Sequence, residues 1–324
     1  MFRFSNLCII IISGILISAV INLNIGYIDL ELSDFINPDA SNAQIAQLRI
    51  NRVIAMLLAG ISIPTSGFLL QEYFQNPLAG PSVLGITSVA SLSVAFYIFL
   101  SRDYLIPEFL QNSFISISAI GGSLLLMFVL LAFSTRFTDK SFLIIFGFLI
   151  SALAGAVVSV LQLYAENESL KSYILWSFGA NSQVSSQQLW VLAGIVLIGL
   201  ALSFQSVKPL IGNALGSAYA KSFGVNLGRL KLLIIVGSSL LSASVTAFLG
   251  PILFIGIVVP HFSRMIYNPS RLWQQWILNM ILGILVMSVF SIASELTLFP
   301  LNVITSLFGI PVILLMLMNK KITS

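Results

Sequence analysis

Ten runs of about twenty mostly apolar residues fill most of this 324-residue chain, and no other feature restricts its fold as strongly. A helix needs about twenty residues to cross the hydrocarbon core of a bilayer. In lipid its backbone must satisfy its own polar groups, which leaves helices or a closed barrel. The runs lie at about 6–25, 52–71, 83–101, 113–133, 141–164, 189–207, 229–249, 251–267, 274–294 and 301–318. They predict an all-α polytopic membrane protein with about ten transmembrane helices.

Composition excludes the soluble alternatives. Only 8% of residues are charged and 58% are hydrophobic, with a mean hydropathy of +1.03, whereas soluble domains carry about a quarter charged residues. No segment reads as a soluble domain, a nucleotide-binding fold or a disordered tail, so residues 1–324 read as a single transmembrane domain. The formal charge of +4 therefore gives no reason to expect a nucleic-acid partner. The first run follows Arg3 as in a secretory signal, but no small-x-small cleavage site closes it, which predicts an uncleaved first span.

An even number of spans puts both termini on one side, and the basic residues say which. With the N-terminus inside, Arg3, Arg136, Lys140, Lys208, Lys221, Arg229, Lys231, Arg264, Arg271, Lys320 and Lys321 are cytoplasmic. Arg49, Arg52, Arg102 and Lys171 fall outside, together with most of the acidic residues. That asymmetry is the positive-inside pattern.

The cytoplasmic segment KPLIGNALGSAYAKSFGVNLGR, Lys208 to Arg229, differs from the other loops. Leu215, Tyr219 and Phe223 recur every four residues, Asn213 can cap a helix start, and Gly224 can take the left-handed position past its end. This predicts a helix over about 213–223, too short to stand alone in water. Its aromatic face needs a second protein or the lipid headgroups to lie against.

Three other features invite a function and also admit a plainer account. Arg49 and Arg52 share a helical face at the outer membrane edge, where they either anchor the helix by snorkelling or contact a partner. Gly147, Ser151, Gly155 and Ser159 form a small-residue stripe on the fifth span. Such a stripe admits close helix packing or lines a translocation path. Cys8 and His261 are each alone, so no metal or catalytic site is expected. No Gly-Lys pair exists to form a phosphate loop, and no carboxylate falls deep in a span. Energy for any pumping must enter through a partner.

Four segments together resemble the FecCD-type permease family. They are LRINRVIAMLLAGISIPTSGFLLQEYFQNPLAGPSVLGITS, the SFGVN that ends the cytoplasmic helix, FLGPILFIGIVVPHFSRM, and PLNVITSLFGIPVILLML. That family supplies the membrane subunits of bacterial ATP-driven importers for iron-siderophores, haem and cobalamin. The resemblance implies the type II ABC importer permease architecture in the bacterial inner membrane, working as a homodimer with its path along the dimer axis. It further implies two cytoplasmic ATPase subunits, which bind ATP and Mg, and an external substrate-binding protein. By the same resemblance Leu215, Tyr219 and Phe223 enter the ATPase, Gly224, Val225 and Asn226 match the family's Gly-Val-Asn exit, and Arg49, with Arg52, contacts the binding protein. The chain departs from the family at Ser294, where an arginine is usual. The expected cargo is an iron chelate or haem, with cobalamin second. An ion-coupled carrier and a non-transporting scaffold are the competing readings from other classes.

Overall fold

The computed structural model describes residues 4–100, 108–136, 140–179, 184–269 and 271–318, so the charges of Arg3, Arg102, Asp103, Lys320 and Lys321 lie outside it. Ten apolar helices match the ten expected spans: α1 (Phe4–Asn24), α3 (Ala43–Phe74), α4 (Ile86–Leu100), α5 (Glu108–Arg136), α6 (Lys140–Tyr164), α8 (Ser186–Ala214), α10 (Leu227–Leu249), α11 (Ile255–Ile266), α12 (Leu272–Thr297) and α13 (Leu301–Met318). Among the described residues seven of these are long and apolar enough to cross a membrane, and α4, α11 and α13 are shorter. Three short helices sit in connections: α2 (Leu32–Ile36), α7 (Asn167–Ser177) and α9 (Ser217–Ser222).

The contacts sort the connections into two ends, as the charge pattern predicts. At one end Phe4 packs on Tyr267 and Trp273, Asn213 reaches the end of α3, and Lys231 donates to the Ser134 carbonyl. At the other, Asn22 donates to the Ser288 carbonyl, Asn51 to Val184, and Asn302 to Ser177 and Phe178. The first set is the expected cytoplasmic end and the second the external end.

At the centre stands α3, 32 residues long and buried along most of its length. Glycines set how closely its neighbours approach. A Cβ on Gly60 would come 2.5 Å from Cα of Ile284, and a Cβ on Gly67 would overlap the Gly256 carbonyl. Prolines shape the same crossings, because Pro64 and Pro260 have no N–H and deprive the carbonyls four residues earlier of their helical donor. Those carbonyls belong to Gly60 and Gly256. The first faces Gly283 of α12, and the second accepts from Gln71 Nε2 at 3.4 Å.

The expected short helix has different bounds. Instead of starting a new helix, Asn213 lies in the last turn of α8, and the chain breaks at Gly216, whose φ is +101°. The helix α9 is therefore Ser217–Ser222, with Leu215 before it and Phe223 after it. Asn213 is buried inside α8 instead, where its Nδ2 donates to the Glu72 and Tyr73 carbonyls of α3 and holds the residue within that helix.

Substituting Gly60 with leucine should leave little folded protein, because the new side chain meets backbone that cannot give way; overpacking even yielding cores costs about 1–3 kcal/mol. Gly194→Ala in α8, where nothing lies within 4 Å, should be neutral. Yield and thermal unfolding of the detergent-purified protein check both.

Candidate functional site

The cytoplasmic tip between α8 and α10 is the strongest candidate. Leu215, Tyr219 and Phe223 are 60%, 63% and 71% exposed, and in a cytoplasmic loop such exposure marks a surface that another molecule covers. Below them α9 packs through Ala220, which is fully buried beside Gly212. The helix ends in a Schellman turn: Val225 N–H donates to the Ala220 carbonyl at 2.9 Å and Gly224 N–H to Lys221 at 3.0 Å, with Gly224 at φ +75°. Asn226 then caps α10 by accepting from the Arg229 N–H at 3.0 Å. Gly-Val-Asn is therefore a stop-and-restart signal that fixes the angle at which the aromatic tip leaves the membrane.

This tip is wired to the centre of the molecule. Asn213 Nδ2 donates to Tyr73 O at 3.1 Å and Glu72 O at 3.3 Å. Arg264 of α11 pairs with Glu72 at 3.0 Å and donates to Gln71 Oε1 at 2.8 Å. One turn of α3 thus joins α8 and α11. Sequence reasoning missed this cluster; the available signal was that Glu72 is an acid on the basic side, directly after Gln71.

The external arginines are placed otherwise than expected. Arg49 is only 5% exposed and Arg52 4%. Arg49 donates to the carbonyls of Leu23 and Asn24 at 3.0 Å and to that of Ile28, which closes the open end of α1 and the loop after it. Arg52 binds the carbonyls of Asn22 and Ile25 and pairs with Glu295 at 2.6 Å. Neither guanidinium projects outward, because the last carbonyls of a helix have no intrahelical donor and these side chains supply one. Ser294, in the position where an arginine was expected, is buried and donates to the Phe299 carbonyl at 2.7 Å.

The stripe on α6 divides in two. A Cβ on Gly147 would press on the Leu84 backbone at 2.7 Å, and Ser151 lies against Gly85, so this half seats α6 on the start of α4. Gly155 has nothing within 4 Å, and Ser159, bonded back to the Gly155 carbonyl at 3.0 Å, is exposed.

With this geometry in hand, three comparisons bear on the chain. The profile of the FecCD transport family matches residues 14–319. The hemin transport system permease HmuU of Yersinia pestis is 29% identical over 316 residues, covering 95% of this chain and 93% of that protein. The vitamin B12 import permease BtuC of Klebsiella pneumoniae is 28% identical over 283 residues, covering 85% and 82%. In fold, the chain is similar to an inward-facing ABC transporter described as of the metal-chelate type, with a TM-score of 0.84, 24% identity and coverage of 98% and 100%.

Charge reversal should expose the inward role of the two arginines. Arg52→Glu removes the buried member of a pair with the half-buried Glu295 and puts a carboxylate in its place, a change worth up to about 3–5 kcal/mol, and Arg49→Glu forfeits charged hydrogen bonds worth about 1.5–3 kcal/mol each. Both variants should melt well below the parent, while Lys171→Glu on the exposed face of α7 should melt with it. An unchanged melting point for Arg49→Glu would return that residue to a docking role.

Proposed function

The chain belongs to the FecCD transport family, and on that premise we propose that it is the membrane-spanning subunit of an ATP-driven importer for an iron chelate of the siderophore or haem type, with cobalamin as the alternative cargo. It is a multi-pass protein of the bacterial inner membrane. The observation that carries the reading is the exposed aromatic tip, Leu215, Tyr219 and Phe223, on a rigid turn wired into α3. A partner is needed both to cover that surface and to supply the energy.

In this reading two ATPase subunits, which hold the ATP and Mg, take one tip each from a homodimer of the chain. When nucleotide draws the ATPases together, their differential affinity for the two arrangements provides the free energy that a passive pore lacks. Movement of α9 reaches α3 through Asn213, and α3 carries it to α11 through Glu72 and Arg264. The outer half of the α6 stripe, Gly155 and Ser159, faces the path between protomers, whereas Gly147 and Ser151 hold α6 to α4. The haem-type cargo is supported by the haem permease relative, which matches nearly the whole chain; the vitamin B12 relatives support cobalamin. A substrate-binding protein delivers the cargo from outside. Because Arg49 and Arg52 are occupied, other groups on the external loops make that contact.

The deciding experiment reconstitutes the chain with its ATPase in vesicles and follows uptake from binding protein loaded with haem, a ferric siderophore or cobalamin. Uptake should require ATP and ignore imposed proton or sodium gradients; gradient-driven uptake without ATP would mean a secondary carrier.

Two variants sharpen the assignment. Joint replacement of Tyr219 and Phe223 by aspartate should abolish co-purification of the ATPase while leaving the spans folded, since each buried aromatic contributes about 1.5–3 kcal/mol and a carboxylate adds a desolvation cost. Cysteines placed at Gly155 and Ser159, with Cys8 removed, should react with a water-soluble thiol reagent during turnover; cysteines at Gly147 and Ser151 should not. Silence at the outer pair would confine the whole stripe to packing.

A further inference from the structure

A groove of about 760 Å³ opens between the cytoplasmic ends of α8 and α10, within the size range of small-molecule sites, roughly 300–1,000 Å³. Its floor is apolar, built from Leu230 and Leu233 on α10, Val225 in the turn and Ile211 on α8. Its rim carries two exposed cations, Lys208 and Arg229. On the spanning parts of the same two helices, Phe204 and Leu232 are 61% and 50% exposed, and there such side chains meet acyl chains. The groove thus begins among lipid tails and ends at the basic side of the membrane.

We propose that this groove is a binding site for an anionic phospholipid of the cytoplasmic leaflet, with an acyl chain along Leu233 and Leu230 and the phosphate between Lys208 and Arg229. Charge complementarity selects this occupant: the cytoplasmic surface of the bilayer is negative and attracts lysine and arginine at span ends. A further polar group fits a hydroxyl-bearing headgroup. Pro209 has no N–H, so the Gln205 carbonyl beside the groove lacks its i+4 helical donor and can accept from a glycerol hydroxyl. Phe223 and Leu215 close the cytoplasmic end of the groove, so a bound lipid would lie against the tip residues and bias the position of α9. The proposal rests on the membrane orientation argued above, and needs neither the ATPase nor any cargo.

The test uses the purified chain alone, stripped of lipid and titrated with phosphatidylglycerol or phosphatidylcholine under native mass spectrometry. The parent should retain phosphatidylglycerol in preference to phosphatidylcholine. Joint Lys208→Gln and Arg229→Gln substitution should weaken phosphatidylglycerol by roughly 30-fold, the worth of two basic residues at an anionic surface. Ile211→Trp, which fills the groove, should weaken both lipids. Equal retention of the two lipids by the parent, or undiminished retention by these variants, would overturn the proposal. Should a variant fold poorly, phosphatidylglycerol with a photoreactive group in its acyl chain, applied to the parent, decides instead. Labels within residues 205–233 support the site, and labels confined to other helices refute it. If that region is labelled only when the ATPase is absent and the ATPase itself crosslinks at Ile211 and Leu233, the groove belongs to the protein partner and the lipid assignment falls.

Discussion

The molecule depends on how closely helices can approach α3. Among lipid tails no hydrophobic force draws apolar helices together, so association rests on packing and on polar groups that find partners. In α3 those two requirements meet at the same residues. Gly60 and Gly67 let α12 and α11 come to backbone contact, while the carbonyls released by Pro64 and Pro260 lie within those crossings. Gln71, one turn beyond Gly67, returns a donor to the second of them and to the Ile257 carbonyl at 3.3 Å. The Ser66 hydroxyl adds a bond to the Ser238 carbonyl at 2.9 Å, which holds α10 to the same helix. Removing a glycine would therefore cost both shape and hydrogen bonding at once.

The two ends of the bundle are built on different terms. Outside, buried side chains close loops onto the bundle: Arg49 and Arg52 over the end of α1, Asn51 to Val184, Asn302 to Ser177 and Phe178. Inside, a buried tie such as Ser263 to Asn279 at 2.7 Å stands beside a wetter one, with Arg264 and Glu72 each about a fifth to a quarter exposed. An ion pair in that position is weak and can exchange partners at low cost. Asn213 is the firmer tie because it is buried and bonds backbone carbonyls of α3. A displacement of α9 is thus transmitted to α3 more directly than to α11.

What could be read from sequence follows from the range of the forces involved. Span number, order and sidedness depend on local hydropathy and charge, and most spans stand within a few residues of expectation; α8 runs seven residues, about two turns, farther on the inner side, and α3 begins nine residues earlier on the outer side. Gly224 was legible because a left-handed residue after a short helix is a local requirement. The start of that helix was not. Asn213 has the chemistry of a cap, and only the arrival of α3, some 140 residues away in sequence, gives its amide another use. The small-residue stripe was ambiguous for the same reason: its spacing is uniform from Gly147 to Ser159, but the start of α4 covers only the first half.

Arg49 and Arg52 carry the clearest lesson about charge. An arginine on the side that the positive-inside rule leaves poor in cations reads as a contact for something outside. The rule, however, counts charge that must stay out of the membrane, and takes no account of what a guanidinium can satisfy locally. Here α1 ends with Asn22, Leu23 and Asn24 presenting carbonyls at the membrane edge, where an unbonded group is costly. A guanidinium has five donors in a planar fork and can serve several carbonyls at once, which lysine cannot match. Gly26 leaves room for it: a Cβ there would lie 2.8 Å from Arg49 Cζ. Glu295 then balances the charge of Arg52 at 2.6 Å. The outer surface left exposed is acidic, with Asp29, Glu31, Asp39, Glu166 and Glu168 set against Lys171 among the described residues. That surface presents carboxylates, while the arginines hold the shape of the loop beneath it.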